Sequence, residues 1–211
     1  MESFLNQLAF IASTFVAVFV IVDPFAVIPI FLSITEGNSK GEREAACTKA
    51  ALVAMGILTA FALLGTKLFG IFGISLEAFQ IGGGILLLML GIAQLSADRR
   101  RVKAEEAKEA EERDDVSVFP LAIPLLAGPG AISTVVLMSS KGDDIIDLVS
   151  LVAAIGGAIV ASYLLLRSAP AIQKALGKTG LNILTRLMGL MLVAIAVQFI
   201  INGIKSAFNI H

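Results

Sequence analysis

Six stretches of this chain, residues 3–22, 50–66, 78–97, 116–140, 148–166 and 187–204, contain no charged side chain. A helix needs about 20 apolar residues to cross a hydrocarbon core near 30 Å thick. A soluble domain cannot hide six such runs: about a quarter of its residues are charged, against 16% here, and mean hydropathy is +0.90. The sequence predicts an all-α membrane protein with six transmembrane helices.

The near balance of 16 Lys+Arg and 17 Asp+Glu argues against a nucleic-acid partner. Fourteen of those 33 charges fall in residues 98–115, an interleaved helix-forming run of the kind that makes a solvated helix or linker. The predicted layout is a three-helix unit over 1–97, a charged cytoplasmic linker over 98–115 and a second three-helix unit over 116–211. Residues 68–76, short and carrying Gly70 and Gly73, read as connecting backbone. Cys47 is the only cysteine, so neither an intrachain disulfide nor a Cys-rich metal site is expected. No Lys or Arg precedes Lys40, and without a basic n-region the first apolar stretch is expected to be retained.

Orientation follows from the cations. Loops 1–2, 3–4 and 5–6 hold twelve Lys or Arg, among them Lys40, Arg43 and Arg167; the opposite loops hold Lys67, Lys141 and Lys205. The positive-inside rule places the richer loops in the cytoplasm and both termini outside.

The chain matches itself at a spacing of 105. Pro24 falls on Pro129, Ala26 on Ala131, Gly37 on Gly142 and Gly84 on Gly189. Three helices per half force the second half to enter from the other side, so the repeats are predicted to be inverted, a construction that recurs in secondary transporters.

Helix 1 is too long for one crossing. From Ser3 to Ile34 a straight helix would reach about 48 Å at 1.5 Å per residue, and Asp23-Pro24 sits inside it. Asp is a preferred N-cap and Pro a preferred first helical residue, while Pro24 has no N–H for the Val20 carbonyl. Two half-helices are predicted, 3–21 and 24–34. In helix 4, Gly128-Pro129-Gly130 repeats this grammar, and Pro120 and Pro124 disturb the segment before it. Both helices 1 and 4 are therefore read as discontinuous.

Such breaks have a chemistry. Bare amides at Phe25, Ala26 and Val27 and at Gly130, Ala131 and Ile132 carry the positive end of a helix dipole, which suits a carboxylate. Carbonyls ending the preceding half-helices suit an ammonium group or a cation. A zwitterion matches both ends. The small residues Ala26, Gly128, Gly130, Ala131 and Ser133 leave room near the backbone and no group for a charged side chain. The expected ligand is a small neutral amino acid, with Asp23, Pro24, Phe25, Ala26, Val27, Gly128, Pro129, Gly130, Ala131 and Ser133 as its site.

These same residues carry a family resemblance. The runs Asp23-Pro24-Phe25-Ala26-Val27-Ile28-Pro29, Phe119-Pro120-Leu121-Ala122-Ile123-Pro124 through Gly128-Pro129-Gly130, and Thr185-Arg186-Leu187-Met188-Gly189-Leu190 resemble the MarC family of inner-membrane proteins, over essentially the whole chain. The resemblance implies a secondary carrier of small neutral amino acids (the glycine, alanine and serine class) driven by a cation gradient, H⁺ or Na⁺. It points to Asp23, Pro24, Pro29, Gly128, Pro129, Gly130 and Arg186 as the positions where function carries over.

Asp23 and Arg186 are the two charges within or at the edge of spans, where a buried charge costs roughly 2.5–3.5 kcal/mol. Asp23 has two readings, a helix cap and a protonatable coupling group. Gln80, the repeat equivalent of Thr185, is a candidate to face the central cavity and share in coupling. Arg186 is read as structural or snorkelling, and stands with Asp23 and Gln80 as a candidate coupling residue. Ala153, Gly157 and Ala161, and Ala46, Ala50 and Ala54, are read as close-packing faces. Gln94, Gln198 and Asn202 are read as interhelical hydrogen-bond partners. No HExxH or GxSxG occurs and the sole histidine is His211, so an enzyme is not expected. A passive channel, an exporter of small polar metabolites and a structural subunit remain the alternatives.

Overall fold

The computed structural model describes residues 2–95, 117–140, 142 and 144–209. The expected linker over 98–115 lies outside the described residues. Every regular element among them is helical: α1 (Glu2–Val22), α2 (Pro24–Ile34), α3 (Lys40–Ile71), α4 (Leu76–Leu95), a π-helix (Ser117–Leu126), α5 (Pro129–Ser139), α6 (Ile145–Arg167) and α7 (Ala169–Ala207).

Four helices are individually long and apolar enough to cross a membrane: α3, α4, α6 and the Thr179–Ala207 part of α7. The pair α1 and α2, bent by 40° at Asp23, is long and apolar enough only when the two are taken together, as a broken span or a re-entrant loop. The expected sixth run resolves into two short pieces, the π-helix and the 11-residue α5.

The prolines explain that division. Pro124 has no N–H to donate to the preceding turn. The chain answers by widening into a π-helix, closed by an i→i−5 bond from the Ala127 N–H to the Ala122 carbonyl at 2.8 Å. Gly128 then takes an extended conformation (φ −74°, ψ 168°) and α5 starts at Pro129.

Other boundaries moved for physical reasons. Residues 68–76 are not all connecting backbone: α3 runs on to Ile71, and the chain reverses only at Gly73, where φ is +66°. One interior glycine costs a helix about 1 kcal/mol, too little to end it. The last crossing starts near Thr179, after a kink at Gly177 (φ 64°, ψ 178°), so Arg186 lies inside its helix.

Packing is dominated by α4 lying along α7, while α6 packs against α1 and α3, and α3 also carries the π-helix and α5. Within lipid there is no hydrophobic drive between helices, so close backbone approach matters. A Cβ added to Gly84 would lie 2.9 Å from the Ala196 carbonyl oxygen, and one on Gly91 would lie 3.0 Å from that of Gly189. On α6 Ala154 and Ala158 are buried; of the expected face Ala153 is exposed, Ala161 half-buried, and Gly157 lies against α1, where an added Cβ would meet Phe15 Cδ2 at 3.2 Å. Ala50 and Ala54 are buried on α3 as expected. Val18, Ile28, Phe31, Leu58, Leu87, Leu121, Leu151 and Ile155 form the core, while Leu52, Ile85, Leu90, Val149 and Leu187 face outward. Helices that are apolar on both faces belong in lipid.

Candidate functional site

The first break is built around Asp23. Its N–H still closes α1 by donating to the Phe19 carbonyl at 3.1 Å. It then turns into the left-handed region (φ 47°, ψ 61°), a conformation that costs a non-glycine residue roughly 1–2 kcal/mol. What offsets that cost is local bonding. The Asp23 carbonyl accepts from Ala26 and Val27, and its Oδ1 accepts from the Ala26 N–H at 3.3 Å. The N-cap expected from the Asp-Pro pair is thus observed, with Pro24 as the first helical residue.

The other carboxylate oxygen is held from a distant element. Gln94 Nε2, in the last turn of α4, donates to Asp23 Oδ2 at 2.6 Å across 71 residues of sequence. Gln94 Oε1 is buried and accepts no hydrogen bond. Gln94 was legible only as a polar residue in an apolar run, since nothing in the local sequence marks its partner. Asp23 is buried to 3% exposure, so this cluster sits inside the helix bundle.

The second break uses no side-chain cap. Gly128 occupies the N-cap position of α5 and its carbonyl accepts from the Ile132 N–H at 3.0 Å. The two breaks lie side by side. A Cβ on Gly130 would meet Ile21 Cγ2 at 3.2 Å and Leu87 Cγ at 3.0 Å, so the first turn of α5 rests on the last turn of α1. Leu87, fully buried on α4, packs into the same point and closes it, a role that no local signal around Leu87 marks.

The remaining expected site residues divide. Pro24, Ala26, Val27, Gly130, Ala131 and Ser133 are buried, Phe25 and Gly128 half-buried, and Pro129 exposed. Ser133 donates to the Pro129 carbonyl at 2.7 Å and sits against Gly83, where an added Cβ would come 2.8 Å from its own. Pro129 and Ser133 line an apolar cavity of about 640 Å³ with Phe61, Phe79 and Leu86. Gln80 is apart from the breaks, in a polar cavity of about 390 Å³ with Glu77, Ser140, Asn202 and Lys205. Thr185 is buried and Arg186 exposed. Among the described residues no three His, Cys, Asp or Glu side chains gather as a metal site would need.

Long apolar helices broken in mid-bundle define an integral membrane protein. The profile of the MarC family of integral membrane proteins matches residues 8–208, and the chain belongs to that family. It is 40% identical over 202 residues to the UPF0056 membrane protein MJ1677 of Methanocaldococcus jannaschii, covering 95% of this chain and 98% of that one. It is 37% identical to the UPF0056 membrane protein YvbG of Bacillus subtilis (96% and 97% covered) and 35% identical to YhcE of Escherichia coli (92% and 91%). No solved structure matches the chain.

Proposed function

We propose that this protein is a secondary carrier, not an enzyme, that moves small neutral amino acids of the glycine, alanine and serine class. Its two three-helix halves are inverted, and H⁺ is the coupling ion. The observation that carries this reading is the contact between the two breaks: α2 and α5 are both 11 residues long, both start on proline and begin 105 residues apart, and Gly130 in the first turn of α5 packs on Ile21 in the last turn of α1, just before the first break. The N-terminal ends of α2 and α5 each offer a positive dipole end to a carboxylate. The carbonyls stranded before each break supply the opposite pole.

The same spacing supports the inverted halves. The C-caps Thr35 and Ser140 and the N-caps Ser39 and Asp144 are each 105 apart. The contact of Gly84 with Ala196 becomes that of Gly189 with Gly91 when the halves are exchanged. On this reading the π-helix and α5 together make the sixth crossing, and the cation-rich loops face the cytoplasm with both termini outside. Leu87 against Gly130 is then the closed position of the site, and a carrier must move it to admit substrate.

The test is counterflow. Purified protein in vesicles preloaded with unlabelled glycine, alanine or serine should accumulate the labelled compound transiently, and an inward H⁺ gradient should drive net uptake. Conduction without saturation or counterflow would make it a channel, and no movement of any of the three would refute the substrate class.

A further inference from the structure

Where α3 and α7 begin, a cavity of about 370 Å³ is lined by Lys40, Arg43, Glu44, Arg167, Ser168 and Phe31, among others. Three cations and one carboxylate face it. Arg167 Nη2 pairs with Glu44 Oε1 at 3.4 Å, so that carboxylate is matched. Among the described residues Arg43 donates only to the Thr35 carbonyl at 3.3 Å, and its buried Nε–H finds no acceptor. Lys40 and Arg43 make no ion pair among the described residues. The lining therefore keeps an excess of positive charge.

Ser168, the junction of α6 and α7, makes no side-chain capping bond among the described residues, while the first turn of α3 is already closed by the Ser39–Glu42 cap. Two cations without ion pairs and a spare hydroxyl point to an anion. The fold itself does not demand these cations. A cavity of about 310 Å³ on the other side of the bundle is lined by Ile145 and Leu148, the residues 105 positions after Lys40 and Arg43, together with Asp144 and Asp147. Aliphatic side chains suffice at those two positions there, and the charge of the second cavity is acidic. The basic cavity lies where the long helices α3 and α7 begin, and basic pockets between membrane helices take anionic lipid heads.

We propose that this cavity binds a phosphate group, held by Lys40 and Arg43 with Arg167 and Ser168 in the same lining. Its place at the start of long apolar helices makes the phosphodiester of an anionic phospholipid the natural source, and free phosphate the other. The proposal stands apart from the transport reading and survives if that reading fails.

Native mass spectrometry of the full chain in detergent, with added phosphatidylglycerol or phosphatidylcholine, tests it. The expected result is retention of phosphatidylglycerol over phosphatidylcholine by about tenfold or more, two cations near a surface being worth that much. The double variant Lys40→Gln/Arg43→Gln should lose the preference, while Lys174→Gln, a cation of α7 outside the cavity, and the charge-conserving Lys40→Arg/Arg43→Lys should keep it. Equal retention of the two lipids by the native chain, or an undiminished preference in the Gln double variant, overturns the proposal. Should that variant not fold, Glu44→Gln decides: removing the cavity's carboxylate must tighten phosphatidylglycerol binding at least threefold, and no tightening overturns the site. Inorganic phosphate that competes at millimolar concentration with the native chain, but not with the double variant, supports the site and assigns free phosphate as a source.

Discussion

Gly130→Ala tests how closely the two breaks are joined. The added methyl would sit 3.0 Å from Leu87 Cγ and 3.2 Å from Ile21 Cγ2, with Leu87 Cδ2 closer still. Leu87 is fully buried, so it cannot yield without moving its own neighbours. Overpacking of this kind costs roughly 1–3 kcal/mol; the better helix propensity of alanine returns at most about 1 kcal/mol. We expect a net loss of about 1–2 kcal/mol. Leu87→Ala alone should cost roughly 2–5 kcal/mol through its cavity. In the double variant the methyl enters the vacated space, so the two effects should fall short of their sum by about 1 kcal/mol or more. Reversible unfolding in mixed micelles titrated with dodecyl sulfate measures all four proteins. Additivity to within about 0.5 kcal/mol would mean that Gly130 and Leu87 do not share a packed point, and the closed junction of α1, α4 and α5 would be wrong.

Gly91→Ala and Gly189→Ala should destabilise similarly in the same titration, since each Cβ would press a backbone carbonyl of the facing helix (3.0 and 3.1 Å); Gly82→Ala, with nothing within 4 Å, should be neutral or stabilising by up to about 1 kcal/mol. Ser39→Ala removes a reciprocal cap, Ser39 Oγ to the Glu42 N–H at 3.3 Å and Glu42 Oε2 to the Ser39 N–H at 2.7 Å, and should lower stability by about 1 kcal/mol. Asp23→Asn keeps a residue tolerant of the left-handed region and able to cap α2 but cannot titrate. Exchange of labelled glycine in vesicles should persist in this variant while H⁺-driven accumulation is lost, and unchanged accumulation would remove Asp23 from coupling.

The break at Asp23-Pro24 was legible because capping and the missing proline N–H are local effects. The start of α5 at Pro129 was legible for the same reason. Where a boundary depended on competition, local signals fell short. Gly70 did not stop α3, and the disturbance expected around Pro120 and Pro124 became a π-helix. The packed stripe of α6 was placed only in part: Gly157 does lie against Phe15, but the fully buried alanines are Ala154 and Ala158. A small-residue stripe can be counted on either side of a helix, and only the neighbour decides which side is used.

The chain's own order of residues was enough to require a helical membrane protein, to interrupt two of its apolar segments, and to place Asp23 at one interruption. Those outcomes follow from solvation and from backbone bonding over a few residues. That Gln94 grips Asp23, that Leu87 shuts the gap beside Gly130, and that Lys40 and Arg43 share a cavity with Arg167 were settled only by packing. Each joins groups tens of residues apart or more, and no short-range rule of solvation or capping selects such a partner.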